Sequence, residues 1–411
     1  MARTSPLLKQ HHDREAVTAE YGPGVEVVQT FGEIDLEYAA VRKGAGLIDL
    51  PQRAVVQVSG GDGPDFLNRM LTQELKGFEA GQCRQAFWLS RKGRIDADLF
   101  LVRTANSILV DVDVHAAARV VEGLGSYIIS EDAAISDVTE AWHRLGLHGP
   151  EALAVLAAAS GSGDVAGLGP LGAVEITIGG ERVLVARRDM TGDPGAELFV
   201  PASGASAVYG ALMKLGAEHL RGAEDEAFTH VKGEFHLREI GWAAFNVARI
   251  EGGSPIYLLD YGPESLPHES GVLSSRVSFT KGCYLGQEIV ARIQSLGSPK
   301  QKVVAVRIDD KPGERGPTVG EEQQPECGAA VLTAAAGGAS AEAEPDVIGG
   351  VTSSAVSPML GGAAICFATV KSKFSAAGTR VLVEVEGRGL PGTVGANLAL
   401  WTRSAATGVA G

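Results

Sequence analysis

Glycine sets the first limit on this chain. It occupies 54 of 411 positions, nearly twice its usual share of about 7%. Glycine weakens helix interiors and favours turns, where the backbone takes φ > 0. The chain is therefore expected to fold into many short elements separated by turns, not into long helical bundles.

The order of those elements narrows the fold further. The first two dozen or so residues are polar and predict a loosely held arm, and Met1 to Glu15 carries no apolar core of the kind a secretory signal needs. Leu36 to Arg42 reads as a helix ended by Gly44 and Gly46, and Ala54 to Ser59 as a strand. Asp62 is placed to cap a helix with Phe66, Leu67, Met70 and Leu71 on one face. Strands follow at 85–89, 95–102 and 107–112, then a helix over 114–124. A second unit with the same grammar has strands at 133–138, 144–147, 174–178 and 183–187 and helices at 151–158 and 205–215. The Gly-rich stretch 161–172 predicts a mobile loop. Irregular interleaving of strands and helices argues α+β, not a doubly wound sheet. From Lys302 the pattern becomes short strands alone, at 303–308, 329–332, 347–352, 363–370 and 380–385, which predicts a small β-barrel or sandwich. The insert Ala334 to Ser340 reads as a flexible loop. The expected division is 1–128, 129–300 and 301–411, in line with a length that suits two or three domains.

Charge and cysteine usage exclude several functions. Lys+Arg 36 against Asp+Glu 50 gives a net charge of −14, which repels phosphate backbones and argues against general nucleic-acid binding. The four cysteines, Cys83, Cys283, Cys327 and Cys366, have neither CxxC nor Cys/His spacing. Neither a zinc site nor a disulfide framework is expected, and a reducing, cytoplasmic setting fits. No apolar run is long enough to span a bilayer, so a soluble protein is expected. There is no P-loop, and no GxGxxG follows a strand.

Five segments could carry chemistry. Lys281-Gly282-Cys283-Tyr284-Leu285-Gly286-Gln287-Glu288 combines a thiol, a cation, an amide and a carboxylate on a glycine-framed turn. A cation beside a thiol favours the thiolate, whereas Glu288 works against it. The segment is either a reactive turn or a turn with a small apolar Cys packed beneath it. In Asp96-Ala97-Asp98 the strand period puts both acids on one face, either solvated or lining a cavity as an acid–base pair. Thr191 to Leu198 is a turn entering a strand, and its Asp193 and Glu197 are either solvent-exposed or able to grasp a donor-rich heterocycle. A pterin offers a ring N–H beside an exocyclic amine, and one carboxylate can accept both. Arg249 and Glu251 can pair with each other or with distant partners, and His268 is either a surface residue or a general base.

The octapeptide, continued by Ile289-Val290-Ala291-Arg292, resembles the signature of YgfZ-type folate-binding proteins. These are relatives of the glycine-cleavage T protein, an aminomethyltransferase, and their mitochondrial counterparts assist iron–sulfur cluster maturation. Ala45 to Leu50, Thr191 to Leu198, Arg249 to Glu251 with Gly253, Gly350 to Ser354 and Ser357-Pro358 extend the resemblance in family order. It implies two interleaved α+β units around a central folate channel and a C-terminal β-barrel. It also implies that Glu197 anchors tetrahydrofolate or a one-carbon derivative, with Thr191, Asp193, Arg249, Tyr284 and Gln287 as further folate-binding positions. Asp98 would line the channel and Cys283 would sit near its mouth, the two being the catalytic candidates. The implied partners are iron–sulfur client enzymes. The alternative is an aminomethyltransferase acting with a lipoyl carrier protein. Two departures favour the YgfZ-type branch: Ala97 stands at the T protein's first Asp in its Gly-Gly-x-x-Asp-Asp-Leu segment, and Phe245 at its folate-contacting Arg.

Overall fold

The computed structural model describes residues 3–216, 235–308, 324–334 and 345–403. The chain forms two compact units, one from the residues up to Ala86 with Ala97–Phe245, the other from Phe87–Asp96 with the residues from Asn246 on. Among the described residues no helix is long and apolar enough to cross a membrane.

The first unit holds a ribbon, β1 (Val17–Glu20) with β2 (Glu26–Thr30), and two sheets. One sheet has the order β5 (Cys83–Leu89), β6 (Ile95–Arg103), β7 (Ile108–Asp113), β4 (Arg53–Ser59), β8 (Ala134–Asp137). The other runs β10 (Ala173–Ile178), β11 (Glu181–Arg187), β12 (Gly195–Pro201), β9 (Trp142–His148), β3 (Ala45–Asp49), β13 (Leu237–Glu239). Helices α1 (Leu8–His12), α2 (Ile34–Lys43), α3 (Gly63–Met70), α4 (Ala117–Gly125), α5 (Ala152–Ser160) and α6 (Ala205–Gly216) complete it, and α7 (Trp242–Glu251) begins in it.

Side-chain alternation explains the layering. On β12, Ala196, Leu198 and Val200 join Leu145 and Leu147 of β9 in a core closed by Val155 and Leu156 of α5 and Val208 and Leu212 of α6. The opposite face of the same sheet meets the five-stranded sheet. Val55, Phe100, Val102 and Leu109 pack there with Leu184, Ala186 and Phe199. Register pairs Glu197 with Gly146, His148 with Gly195 and Phe199 with Arg144. Arg144, His148 and Glu197 therefore face inward, between the two sheets.

Three expectations need correction. The start of the chain is not a loose arm. Leu7 is fully buried, and Ser5 Oγ donates to Asp49 Oδ2 at 2.5 Å. His11 Nε2 and His143 Nε2 meet the same carboxylate at 2.9 and 2.6 Å. Burial pushes the Asp49 carboxyl up, but the charge and hydrogen bonds of the two histidines outweigh it and hold Asp49 well below the usual carboxylate range. These partners lie some forty or more residues from the arm, so no local pattern announces them. Leu7→Ala is expected to cost about 2–5 kcal/mol of stability, read as a lower urea midpoint; an unchanged midpoint would return the arm to the surface.

Second, Gly46 does not end a helix. The chain leaves α2 at Gly44, where a Cβ would lie 2.1 Å from the His236 carbonyl oxygen, and enters the fully buried strand β3. Third, Asp62 does not cap α3 through its side chain; its Oδ2 accepts from the Asp132 N–H at 2.8 Å instead. The apolar face of α3 is as read, with Phe66, Leu67 and Met70 buried.

In the second unit a closed six-stranded barrel has the order β14 (Gln301–Ile308), β17 (Ala363–Lys371), β16 (Val347–Ser357), β15 (Ala330–Thr333), β18 (Arg380–Val385), β19 (Arg388–Val394). Five of these strands follow the sequence reading. The sixth, β19, contains Gly389, Pro391 and Gly392, residues that depress strand propensity. The unit also holds α8 (Leu273–Arg276) and α9 (Gln287–Leu296). All but the first residue of the 334–340 insert lies outside the described residues. Cys83, Cys283, Cys327 and Cys366 are free cysteines. Cys83 and Cys366 are buried, and burial pushes both thiols up to about 12.

Candidate functional site

Between the two sheets of the first unit lies a charged seam. Arg144 is fully buried; its Nε donates to the Leu198 carbonyl at 3.1 Å, Nη1 to Asp111 Oδ1 at 2.7 Å and Nη2 to Glu197 Oε2 at 3.1 Å. Its guanidinium lies 3.5 Å from the centre of the Phe199 ring. Asp111 also accepts both arms of Arg53, at 3.1 and 2.7 Å, and stands 3.6 Å from Arg188 Nη1.

The two carboxylates divide these cations unequally. Burial pushes Asp111 up, but Arg144 and Arg53 outweigh it and hold the group below the usual range. For Glu197 burial wins. Arg144 and Arg188 offset it only in part, Asp111 adds repulsion, and the carboxyl is raised. Among the described residues Glu197 Oε2 has one donor, Arg144. The approach to Oε1 is His148 Nε2 at 4.0 Å, beyond hydrogen-bond reach.

His148 is fully buried, and among the described residues neither of its ring nitrogens has a hydrogen-bond partner. Its ring tilts against Phe245, with centroids 5.2 Å apart. Burial, opposed by Asp189 and reinforced by Arg188, lowers its pKa to about 4, so the imidazole is neutral at pH 7. Two glycines make room for it. A Cβ on Gly195 would lie 2.3 Å from His148 Nδ1, and one on Gly146 2.8 Å from Nε2.

Of the other expected site residues in this unit, Thr191 and Asp193 lie on the turn that leads into β12, and Asp98 lies on β6. Thr191 is fully buried, and its Oγ1 has no hydrogen-bond partner among the described residues. Arg42 Nη1 of α2 donates to its carbonyl at 2.7 Å and to Asp193 Oδ2 at 2.8 Å, so the turn is tied to α2. Neither Asp193 nor Glu197 is solvent-exposed, at 1% and 5%. Asp98 is half-buried between the buried Ala97 and Leu99, as the strand period predicts.

The remaining expected residues belong to the second unit. Cys283 is exposed, not packed beneath its turn. Tyr284 is buried, which pushes its hydroxyl up to about 12, and Lys281 Nζ stands 5.4 Å from its ring centre. Gly286, at φ 80°, precedes α9, where a Cβ would meet the Ser90 carbonyl at 2.6 Å; Gln287 opens the helix. Arg249 pairs with Asp260 at 2.8 Å, and Glu251 accepts from Ser357 Oγ. His268 is buried rather than on the surface.

The sequence reading did not find Arg53, Asp111, Arg144 or His148. The available signal was Trp142-His143-Arg144-Leu145-Gly146-Leu147-His148, a buried strand carrying a cation and two imidazoles.

A charged seam between two sheets of one unit and a closed six-stranded barrel in the other mark a mixed α/β protein. Residues 7–281 match the GCVT N-terminal domain, and residues 319–398 the glycine cleavage T-protein C-terminal barrel domain. The chain belongs to the glycine-cleavage T-protein family. It is 30% identical over 403 residues to a probable aminomethyltransferase of Halobacterium salinarum, covering 95% of this chain and 97% of that protein. It is 28% identical over 391 residues to the aminomethyltransferase of Saccharopolyspora erythraea, covering 95% of each. The crystal structure of the glycine cleavage system aminomethyltransferase T from Bartonella henselae shares the fold, with TM-score 0.78 over 98% of both chains at 21% identity. These matches carry the aminomethyltransferase name and do not single out the YgfZ-type branch.

Proposed function

We propose that this chain is a tetrahydrofolate-dependent aminomethyltransferase that takes its one-carbon unit from a lipoyl carrier protein. One observation carries the reading: Glu197 is a buried carboxylate that its neighbours leave under-compensated. Such a group suits a ligand that brings its own paired N–H donors, and the pterin edge does so. Arg144 fixes the carboxylate from Oε2 and leaves Oε1 open to an incoming donor. Asp111, by absorbing Arg53 and the second arm of Arg144, prevents those cations from saturating Glu197. Bound tetrahydrofolate supplies the two amine nitrogens that take up the methylene carbon, while ammonia and the carrier thiol are released. Asp98, half-buried on β6, is the carboxylate we assign to proton transfer at the departing amine; it lies on the strand face opposite Ala97, the family's Asp position, and so would act from a different side.

A second reading rests on that same Ala97 and on the exposed Cys283. In it the chain keeps the folate but supports iron–sulfur enzymes instead of transferring carbon. Calorimetric titration with tetrahydrofolate followed by single-turnover transfer from the aminomethylated carrier separates the two. Binding with transfer is the expected result. Binding without transfer, together with failure of Cys283→Ser to complement an iron–sulfur enzyme defect, would favour the second reading. No binding at millimolar ligand would overturn both.

A further inference from the structure

A cleft of about 300 Å³ opens within the second unit, apart from the folate reading and independent of it. Its wall is the start of β14 around Lys302, and its rim is the 395–398 loop after β19. The Pro267–Glu269 turn supplies His268 to its lining.

Three polar features in this lining lack partners among the described residues. Lys302 is exposed and makes no ion pair there, in a chain of net charge −14. The N–H groups of Ala396, Asn397 and Leu398 make no hydrogen bond there, whereas those of Gly395 and Leu400 on either side are bonded to Ala305 and Glu251 carbonyls. His268 is 7% exposed; its Nε2 stands 3.3 Å from Gln294 Oε1, and its Nδ1 is buried without a partner. With Nε2–H donating to the Gln294 oxygen, Nδ1 is left as an acceptor. Burial lowers the His268 pKa, Gln294 opposes this and Lys302 reinforces it, so the ring is neutral at pH 7.

The chemistry of an occupant follows from these groups. A lone cation beside consecutive unpaired N–H groups suits a carboxylate. One cation is too little for a dianionic phosphate. The Nδ1 acceptor requires a donor, and a hydroxyl fits better than an ammonium, which Lys302 would repel. Leu273, Val303 and Leu398 supply apolar surface for a short carbon body. We propose that this cleft binds a small 2-hydroxy carboxylate, with the carboxylate on Lys302 and the loop N–H groups and the hydroxyl on His268.

The test uses the full chain, labelled for NMR, titrated at constant ionic strength with racemic lactate, propionate and lactamide. Lactate is expected to give saturable shifts at the 396–398 amides and the His268 ring. Propionate lacks the hydroxyl and lactamide lacks the charge, and each is expected to bind roughly tenfold more weakly, the loss of about one hydrogen bond or one charge-assisted contact. Lys302→Gln, checked for an unchanged Tm, is expected to weaken lactate by a similar factor, and His268→Phe to erase the preference for lactate over propionate. Linear, non-saturating shifts would overturn the proposal. So would equal binding of lactate and lactamide, equal binding of lactate and propionate, or an unaffected Lys302→Gln variant.

Discussion

Glu197→Gln is expected to lower tetrahydrofolate affinity about a hundredfold while leaving stability within about 1 kcal/mol. The two effects separate because the carboxylate is poorly served by its own protein. Hydrogen bonds to a charged group contribute about 1.5–3 kcal/mol each, and a glutamine offers the pterin edge one acceptor and one clashing donor where the carboxylate offers two acceptors. Losing about 2.7 kcal/mol is a factor of roughly one hundred. In the unliganded protein the same carboxylate has one hydrogen bond among the described residues, from Arg144, and its burial is only partly repaid. A neutral isostere keeps the Arg144 contact through its amide oxygen and sheds the desolvation cost. Calorimetric titration and urea unfolding of the same variant read the two quantities. Unchanged affinity would remove Glu197 as the pterin anchor.

The pH dependence gives the same prediction a second face. The folded-state pKa of Glu197 is raised, so its protonation adds stability at low pH, and that contribution is lost as pH rises through the folded-state value. Folate binding needs the ionised form, so affinity should rise over the same interval and flatten in Glu197→Gln. Asp49 and Asp111 act oppositely on stability. Their folded-state pKa values are lowered, so their contributions stand above the unfolded carboxylate range and disappear as pH falls. A stability profile that declines in acid for the wild type and the variant alike, with affinity flattened only in the variant, assigns each carboxylate its part.

How much of this was legible beforehand depends on the reach of each interaction. Barrel strands such as Arg380–Val385 were readable because the alternation is local, and the apolar face of α3 was readable for the same reason. The strand β3 was hidden behind two glycines that read as a helix stop, although Gly44 is there because the His236 backbone approaches it. At the site, resemblance pointed to Glu197, but what makes Glu197 distinctive is non-local. Arg144 lies 53 residues from it and 33 from Asp111. Nothing in Asp111-Val112-Asp113 indicates that the first of these acids will collect three guanidinium groups. His148 is a similar case. Its isolation comes from the glycines of two paired strands, and pairing is a property of the sheet.

Asp260→Ala is expected to cost about 3–5 kcal/mol, the largest single loss of stability we anticipate in the second unit, because it removes the carboxylate that faces a buried cation. The Asp260 side chain is fully buried and accepts four hydrogen bonds: from Arg249 Nη1 at 2.8 Å, the Ile256 N–H at 2.8 Å, Thr352 Oγ1 at 2.9 Å and Ser353 Oγ at 2.6 Å. Arg249, itself 1% exposed, spends its other donors on Asn246 Oδ1, the Ser254 carbonyl and Ser353 Oγ. The pair thus clips the C-terminal half of α7 and the turn after it to barrel strand β16. Removing the acid takes the carboxylate from a buried guanidinium and from three neutral donors, whereas Arg249→Met leaves a carboxylate that still has three donors and should cost less. The double variant Arg249→Met/Asp260→Leu should recover part of the loss, since replacing both members of a buried pair avoids the uncompensated charge. The same series decides between the two roles open to Arg249. A clip predicts that Arg249→Met lowers the urea midpoint and that tetrahydrofolate affinity follows stability. A variant of unchanged stability that no longer binds tetrahydrofolate would instead make Arg249 a ligand contact, and the ion pair with Asp260 merely its resting position.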